Sequence, residues 1–412
     1  MRRAVPGAGR SRCASCRVGF GRVRAIFGGW TLTADFDDIR PYRDAEVRQV
    51  LKRLVHEPEL LSAVAKFRMP RLARVAPGIT RYLLSRGLAA RTANIDSVRA
   101  FQQFLESWFV RMIRNTTDGF TWSGTDTLGR DSAHLFVGNH RDIAMDSGFM
   151  NYALWREQFD TARIAIGDNL LKRPYTTDLM RLNKSFVVRR GAVGVKEMAA
   201  AFNLTSRYLQ HSIDEGESVW IAQREGRAKD GIDRTEPAII KMFHMSQRKS
   251  GRSFGEVIAG LHIVPLAISY EVDPCGPGKA RELFVTARDG RYEKPEDEDI
   301  QSIVTGITGY KGRVHIGFGR ELGPEGADAE AVAAELDRQV HALFRLWPTH
   351  LWAARACGID VPAALEAEAG EPNPKALAAL QAQIEAAPEG HRPYLLAQYA
   401  NPVRSRLGLQ VH

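Results

Sequence analysis

The sequence predicts an α/β sandwich with a helical region before it and a helical extension after it. Between residues 126 and 322, short apolar runs typical of buried strands alternate with longer stretches typical of helices, such as residues 195–213. The strand-like runs begin at Leu135, Ile164, Phe186, Val219, Ile263 and Val314. We therefore expect one main domain over residues 126–322.

The first 30 residues are predicted to be a disordered tail or an overextended start. They are rich in arginine and glycine, and no acidic residue precedes Asp35. They also lack the apolar core of a signal peptide. Cys13 and Cys16 form an isolated C-x-x-C there, and we interpret this spacing as chance because no redox or zinc domain surrounds it.

Residues 31–125 are predicted to be helical and to offer a surface to a membrane. An amphipathic helix is indicated by apolar residues three or four positions apart, namely Val98, Phe101, Leu105, Trp108 and Met112. No acidic residue lies between Glu59 and Asp96, where apolar side chains are mixed with Lys66, Arg68, Arg71, Arg74, Arg81, Arg86 and Arg91. This composition suits an anionic membrane surface. A basic helical face packed on the main domain is an equally good interpretation.

Length and composition suit a large enzyme of a reducing compartment. The chain has 412 residues, 44% hydrophobic and 25% charged, which is enough to bury a substantial core. Its four cysteines do not form a disulfide framework. No run of about 18 apolar residues indicates a transmembrane helix. The net charge of +9 is not accompanied by a nucleic-acid-binding motif, so we expect no nucleic acid partner. Residues 323–412 are rich in alanine and glutamate and are predicted to be a helical extension.

A first segment, residues 138–146, places His140 directly after a predicted strand, with Asp142 and Asp146 nearby. Histidine suits proton abstraction from a hydroxyl, and an aspartate on its other ring nitrogen would fix the tautomer. On a continuous helix only residues three or four apart share a face, so His140 and Asp146 can meet only across a bend. A helix predicted to start at Phe149 leaves a loop for that bend. We favour Asp146 as the partner, with Asp142 as the alternative.

Two further segments carry cations that suit a phosphate-bearing substrate. In residues 183–190 a β-branched run leads into Arg189 and Arg190, with Lys184 before it. In residues 223–231 a predicted strand opens into a loop that contains Glu225, Gly226, Arg227 and Lys229. Glycine permits close backbone approach, while arginine and lysine donate to phosphate oxygens. A fourth segment, residues 263–270, contains Pro265, which is best tolerated at a sheet edge or a break in pairing.

In this order the four segments resemble those of the phospholipid/glycerol acyltransferase family, of the 1-acyl-sn-glycerol-3-phosphate acyltransferase type. The resemblance covers residues 126–322 and implies a glycerolipid acyltransferase-like αβ sandwich. It also implies transfer of a fatty acyl group from acyl-CoA or acyl-ACP to a glycerol-phosphate or lysophospholipid hydroxyl, with lysophosphatidic acid favoured. These donors are co-substrates, and no bound cofactor is expected. The family spaces its histidine and aspartate as H-x4-D, and Met145 occupies that aspartate position here.

The resemblance also assigns roles to individual residues. His140 is the base, Arg189 contacts the acceptor phosphate, and Glu225 matches the motif glutamate. Lys184 and Arg190 are secondary candidates for the phosphate, and Pro265 is a candidate for the acyl pocket. The implied location is the cytoplasmic face of a membrane, bound peripherally, and the positive charge would favour acidic acyl carrier protein as well as anionic lipid.

Other functions remain as alternatives. The altered His–Asp spacing leaves open a degenerate family member that binds lipid or a partner without turnover. Gly251-Arg252-Ser253-Phe254-Gly255 matches G-x-S-x-G, so a serine hydrolase acting through Ser253 is a weaker alternative, since no strand precedes this motif. No spacing of carboxylates and imidazoles indicates a metal site, and we predict no catalytic metal.

Overall fold

One mixed sheet of seven strands forms the centre of the part of the chain that the computed structural model describes, residues 36–323 and 328–410. The elements below belong to the unit Asp38–His412. The predicted tail, with Cys13 and Cys16, lies outside the described residues. The strands are β1 (Gly119–Ser123), β2 (Leu135–Gly138), β3 (Arg163–Gly167), β4 (Ser185–Val188), β5 (Val219–Ala222), β6 (Ile263–Tyr270) and β7 (Arg313–Phe318).

The strand order across the sheet is β1-β7-β6-β2-β5-β3-β4. Strands β2 to β6 run parallel to one another, whereas β7 is antiparallel to β6 and parallel to β1. Every residue of β2, β5 and β6 is buried, as expected for central parallel strands that are covered on both faces. Together with the surrounding helices, this sheet confirms the predicted α/β class.

Each of the six predicted strand runs forms a strand, and β1 is an addition that the sequence analysis did not contain. Strand β1 lies at the edge of the sheet and pairs only with β7 among the described strands. Its residues alternate between exposed and partly buried positions. A short strand with so little apolar burial gives no continuous apolar run, which explains why the pattern did not predict it.

From residue 36 to β1 the described chain is mainly helical, as the sequence predicts for this region, with α1 (Asp44–Leu54), α2 (Pro58–Arg68), α3 (Pro70–Val75), α4 (Pro77–Thr92) and α5 (Val98–Thr116). Helix α5 is the predicted amphipathic helix and buries Phe101 and Met112. Helices α3 and α4 pack against α2 and each other. Their outer face leaves Leu72, Val75, Ile79, Tyr82 and Leu83 exposed.

The remaining helices lie between the strands and after β7. Those between strands are α6 (Met145–Arg156), α7 (Pro174–Leu182), α8 (Val195–Asp214), α9 (Pro237–His244), α10 (Phe254–Ala259), α11 (Gly276–Asp289) and α12 (Glu298–Thr308). Those after β7 are α13 (Ala329–Leu343), α14 (Pro348–Ala356), α15 (Ala363–Ala369), α16 (Pro374–Ala386) and α17 (Arg392–Arg406). The C-terminal helical extension is therefore present. No helix among residues 36–323 and 328–410 is both long and apolar enough to cross a bilayer.

Pro265 lies in an interior strand, because β6 is flanked by β2 and β7. The β7 ladder begins only at Leu266, which pairs with Phe318, and the Pro265 carbonyl accepts a hydrogen bond from Gly319 N beyond the end of β7. A strand residue directs its N–H and C=O to the same neighbour, so the missing N–H of Pro265 faces the point where β7 ends. Pro265 was expected at a sheet edge or at a break in strand pairing. The structure shows that it lies at a break in the pairing of β6 with β7 and not at a sheet edge.

Candidate active site

The four segments converge because β2 to β6 all end at one edge of the sheet. His140 lies two residues beyond the end of β2, Arg189 directly follows β4, and residues 223–231 directly follow β5. Gly138 at the end of β2 is in register with Ala222 on β5 and with Leu266 on β6. His140 therefore leaves the sheet between the loop that follows β5 and the end of β6.

His140 and Asp146 form a hydrogen-bonded pair at this edge. His140 Nδ1 lies 2.8 Å from Asp146 Oδ2, and the His140 side chain is 16% exposed whereas Asp146 is buried. When Nδ1–H donates to the carboxylate, Nε2 is left as a proton acceptor. No described residue makes a hydrogen bond to Nε2. The Trp220 ring contacts the imidazole edge to face, with 5.4 Å between ring centroids.

A bend between β2 and α6 brings the two side chains together. Helix α6 begins at Met145, earlier than the predicted start at Phe149, so Asp146 lies in its first turn. Residues 139–144 form the loop before it. Asp146 Oδ2 accepts hydrogen bonds from the backbone N–H groups of Arg141, at 2.6 Å, and Asp142, at 2.9 Å. The carboxylate therefore holds the loop in the bend that its pairing with His140 requires.

The Asp146 carboxylate is buried but surrounded by donors. Burial by itself raises the pKa of a carboxyl group, but the hydrogen bond and positive charge of His140, followed by the Asp142 N–H and Tyr270, hold the pKa of Asp146 below its usual value. Asp146 is consequently ionised at neutral pH. An ionised carboxylate stabilises the imidazolium that forms when His140 takes up a proton.

Asp142, the alternative partner, occupies a different position. Its Oδ1 accepts hydrogen bonds from the N–H groups of Ala144 and Met145, at 3.0 and 2.9 Å, at the start of α6. Burial and the charge of Asp146 raise the pKa of Asp142. Among the described residues, the Asp142 side chain makes no hydrogen bond to His140. The geometry thus gives Asp142 a role in the loop and leaves the orientation of His140 to Asp146.

Four residues that were not predicted from the sequence also build the site. Tyr270, at the end of β6, donates a hydrogen bond of 2.7 Å to Asp146 Oδ1. The buried side chain of Asn139 bonds both the N–H and the carbonyl of Ile268 on β6 and donates to Asp233. Asp233 also accepts from Arg141 at 2.6 Å. These bonds connect the His140 loop to β6 and to the loop that follows β5.

The two arginines of the second segment lie at the same edge of the sheet, beyond β4. Arg189 is half exposed and its guanidinium is 3.3 Å from Asp38. The Arg190 guanidinium is 3.9 Å from Glu225, and its backbone N–H donates to Asp168. Both cations therefore remain accessible to an anion from solvent. Their role in binding an acceptor phosphate stays a prediction.

Lys184 lies at the opposite edge of the sheet, which contradicts its selection for the phosphate site. It directly precedes β4, whereas Arg189 follows it. Lys184 Nζ donates to the Thr161 carbonyl before β3 and pairs with Glu217 before β5, at 2.7 and 2.6 Å. In parallel strands the residues before and after a strand lie at opposite edges, so Lys184 belongs to the edge away from His140.

The third segment forms the loop against His140. Gln223 N donates to the Gly138 carbonyl and Ala228 N donates to the His140 carbonyl, at 2.8 and 2.7 Å. Gly226 has a φ of 73°, a left-handed conformation that favours glycine. The charged side chains of this segment have different partners: Glu225 lies near Arg190, Arg227 donates to Ser302 on α12, and Lys229 pairs with Glu282 on α11.

The competing motif has a local structural explanation. Ser253 is the N-cap of α10, where its hydroxyl accepts from Glu256 N and donates to the Glu256 carboxylate. No histidine contacts it among residues 36–323 and 328–410. A nucleophile elbow would instead follow a strand, so the structure contradicts the serine hydrolase alternative. Within those same ranges no cluster of three His, Cys, Asp or Glu side chains could hold a metal ion, and the absence of a catalytic metal stays a prediction.

Comparison with known proteins gives a family match and similar solved structures. Residues 119–269 match the family model described as Acyltransferase, and this range contains His140, Asp146, Arg189 and the third segment. A similar solved structure is that of the 1-acyl-sn-glycerophosphate (LPA) acyltransferase PlsC from Thermotoga maritima. It is 13% identical, with 72% of this chain and 94% of that chain covered and a TM-score of 0.34. No curated protein matches this chain.

Proposed function

Because residues 119–269 match the Acyltransferase family model, we propose that the protein transfers a fatty acyl group from an acyl thioester to the hydroxyl of a glycerol-phosphate or lysophospholipid acceptor. Lysophosphatidic acid is the favoured acceptor, and acyl-CoA or acyl-ACP is the donor. The observation that carries the proposal is the His140–Asp146 pair, whose Nε2 is open for a substrate, at the sheet edge where Arg189 and Arg190 also lie.

The chemistry follows from the protonation of this pair. His140 Nε2 takes the proton of the acceptor hydroxyl while the hydroxyl oxygen attacks the thioester carbonyl. The new carbon–oxygen ester bond forms, and the carbon–sulfur bond breaks when the tetrahedral intermediate collapses. The proton held by His140 then passes to the departing thiolate, which restores neutral imidazole. Asp146 stabilises the intervening imidazolium, and no covalent acyl-enzyme is required.

The acceptor phosphate is assigned to the cations that follow β4. Arg189 and Arg190 are accessible, and arginine presents a planar set of donors that matches phosphate oxygens. Asp38 and Glu225 are exposed partners of these arginines, and ion pairs between exposed groups cost little to exchange for another anion. A phosphate held there would fix the acceptor while its hydroxyl approaches His140.

A membrane would supply such an acceptor, and α3 and α4 provide a suitable surface. We define the basic helical surface as the exposed cations Arg71, Arg74, Arg81, Arg86 and Arg91 together with the exposed apolar residues Leu72, Val75, Ile79, Tyr82 and Leu83. Val75 is 83% exposed. Apolar side chains between arginines suit the interface of an anionic bilayer, which supports a peripheral location on the cytoplasmic face.

The test is an acyl-transfer assay with labelled acyl-CoA and acyl-ACP on glycerol 3-phosphate, lysophosphatidic acid and other lysolipids. We expect loss of product with His140→Ala and a large loss with Asp146→Asn, whereas Asp142→Asn retains activity because an asparagine oxygen can still accept from the start of α6. His56→Ala, at an exposed histidine of the N-terminal helices, is the matched control.

Two results would overturn this proposal. A folded wild-type protein that forms no product across the panel would instead support the alternative of a degenerate member that binds lipid or a partner without turnover. Full activity in His140→Ala would remove the histidine from the mechanism. Circular dichroism of each variant distinguishes a chemical loss from a failure to fold.

A further inference from the structure

A cleft of about 740 Å³ lies beside the His140 loop and has no assigned ligand. We call it the lateral cleft. Its walls come from the third segment, from α11 and α12, and from α16 and the turn that follows it. Residues that represent these walls are Arg227, Cys275, Ser302, Ala379, Ala382 and Gln383. The volume lies within the range of small-molecule sites, so a ligand of substrate size fits.

Two short chains of contacts join the lateral cleft to the His140 loop. Arg227 lines the cleft, and the next residue, Ala228, donates its N–H to the His140 carbonyl at 2.7 Å. Cys275 also lines it, with its thiol 3.7 Å from Asp142 Oδ2. Asp142 N in turn donates to Asp146. A ligand in the cleft would therefore lie one layer of residues from the His140–Asp146 pair.

The sheet order separates the lateral cleft from the arginines assigned to the acceptor. His140 follows β2, and Arg189 follows β4, which lies three strands away in the order β2-β5-β3-β4. Cys275 follows β6, the neighbour of β2 on the other side. The Arg190 side chain still reaches Glu225 in the loop that contains Arg227, but of these three arginines only Arg227 lines the lateral cleft. Arg189 and Arg190 suit the acceptor, and Arg227 is available to a second anion.

Arg227 is the unpaired cation of the lateral cleft. Its guanidinium donates to the neutral hydroxyl of Ser302 at 2.8 Å, and no acidic side chain of the described residues pairs with it. The neighbouring cations differ, because each has an acidic partner: Lys229 with Glu282, Lys279 with Asp273, and Arg281 with Glu298. An anion entering the cleft would thus be attracted to Arg227 without breaking an existing ion pair.

The walls of the lateral cleft are mostly apolar, with a few hydrogen-bonding side chains among them. Helix α16 contributes the methyl groups of Ala379 and Ala382, whereas Gln383 and the α12 residues Gln301, Ser302 and Thr305 contribute amides and hydroxyls. A purely hydrocarbon ligand would leave these polar groups unpaired, which costs free energy. A linear ligand with its own amides, methyl groups and one phosphate matches this surface better.

We propose that the lateral cleft binds the phosphopantetheine arm of the acyl-thioester donor, with its phosphate on Arg227. The inference rests on the proposed acyl transfer and adds the site of the donor. The arm is common to acyl-CoA and acyl carrier protein, and its chemistry is the same in both. The donor phosphate and the acceptor phosphate would then be bound by different arginines.

The experiment uses two substitutions in the full chain, one that fills the cleft and one that removes its positive charge. Ala382→Trp blocks it, and Arg227→Gln removes its cation. Ala378→Trp is the matched control, because Ala378 is also exposed on α16 but does not line the cleft. We would measure KM for acyl-CoA, acyl-ACP and an acyl-N-acetylcysteamine thioester, KM for the acceptor, and binding of CoA, holo-ACP and apo-ACP by calorimetry.

We expect Ala382→Trp and Arg227→Gln to raise the donor KM and the Kd of the arm at least about tenfold, while the acceptor KM stays within about twofold. Transfer from the N-acetylcysteamine thioester, which lacks the phosphate and most of the arm, should be insensitive to Arg227→Gln. The source that wild type binds and uses, CoA or holo-ACP, identifies the donor. An unchanged donor KM, or a raised acceptor KM alone, would overturn the assignment.

The binding measurements keep this inference separate from the proposed function. If wild type forms no product but binds CoA or holo-ACP, and Ala382→Trp abolishes that binding, the acyl-transfer proposal fails and the cleft assignment stands. If Ala382→Trp binds the arm as tightly as wild type does, the cleft assignment fails whatever the activity. Ala382 is exposed, so a tryptophan there should not prevent folding, and the thermal unfolding of each variant checks this.

Discussion

The Tyr270 hydroxyl donates a hydrogen bond of 2.7 Å to Asp146 Oδ1, on the carboxylate whose other oxygen accepts from His140. Both residues are buried. Burial, followed by the charges of Asp146 and Asp142, raises the pKa of Tyr270 well above its usual value, so the phenol keeps its proton at neutral pH. Tyr270 therefore restrains the carboxylate from β6 while the His140 loop restrains it from β2.

Tyr270→Phe should lower kcat without changing KM for either substrate. The substitution removes one donor from a buried carboxylate, and a hydrogen bond to a charged group is worth about 1.5 to 3 kcal/mol, which corresponds to at least a tenfold effect if it acts fully on orientation. Steady-state kinetics would show this. Tyr152→Phe, which removes a hydroxyl bonded to Arg156 on α6, is the control. A raised KM with unchanged kcat would show that Tyr270 acts on substrate binding instead.

Removing Arg189 and removing Lys184 should have different effects. Arg189→Gln should raise the acceptor KM about tenfold or more, because it deletes a charge-assisted contact to the phosphate. Lys184→Gln should leave that KM unchanged and lower only the stability, since Lys184 bonds Thr161 and Glu217 at the other edge of the sheet. The comparison requires acceptor titrations and thermal unfolding of both variants. Equal KM effects would contradict the separation of the two edges.

Contacts within one short stretch of sequence were easier to predict than contacts across the sheet. His140 and Asp146 are six residues apart, so their pairing depends on a single loop. Tyr270 is 124 residues from Asp146, and their contact depends on β6 lying beside β2. No local pattern contains that information. The position of Lys184 was predictable in principle, since it precedes a strand that Arg189 follows, but its prediction as a phosphate ligand rested on charge and not on strand direction.

The separation of Arg227 from Arg189 has the same physical origin. Both follow parallel strands, β5 and β4, and the sequence alone places both at the carboxyl edge without fixing their neighbours. Helices α11, α12 and α16, which follow β6, supply the surroundings of Arg227. These helices lie beyond the residues that match the family model. The lateral cleft could therefore not be predicted from the motifs.

The basic helical surface should bind anionic vesicles through its exposed apolar residues. Val75→Glu places a negative charge on a side chain that is 83% exposed, so it should weaken binding to phosphatidylglycerol vesicles at least about fivefold without unfolding α3. Vesicle sedimentation measures this. Leu409→Glu, at an exposed apolar residue near the C-terminus, is the matched control. Binding that is unchanged in Val75→Glu, or equally weakened in Leu409→Glu, would contradict a specific role for α3 and α4.

The buried His350 should make the protein less stable as the pH falls below neutrality. Burial, followed by the charge of Arg141, lowers the pKa of His350 from 6.5 to about 3, and its Nδ1 accepts from Trp347 N. Phe344 and Tyr399 pack against its ring. Since the folded-state pKa lies below the unfolded value, the unfolded chain takes up a proton between these two pH values that the folded chain does not. The stabilisation is thus complete above pH 6.5 and declines as the pH falls towards 3.

We expect the free energy of unfolding of wild type to fall between pH 7 and pH 5 by about 2 kcal/mol more than that of His350→Gln. Glutamine keeps an acceptor but does not titrate, so the pH dependence is the readout even if the substitution lowers stability at every pH. Urea denaturation at the two pH values measures it, with His56→Gln, at an exposed histidine, as the matched control substitution. Parallel pH profiles of wild type and His350→Gln would mean that His350 is protonated in the folded state, contrary to its burial beside Arg141.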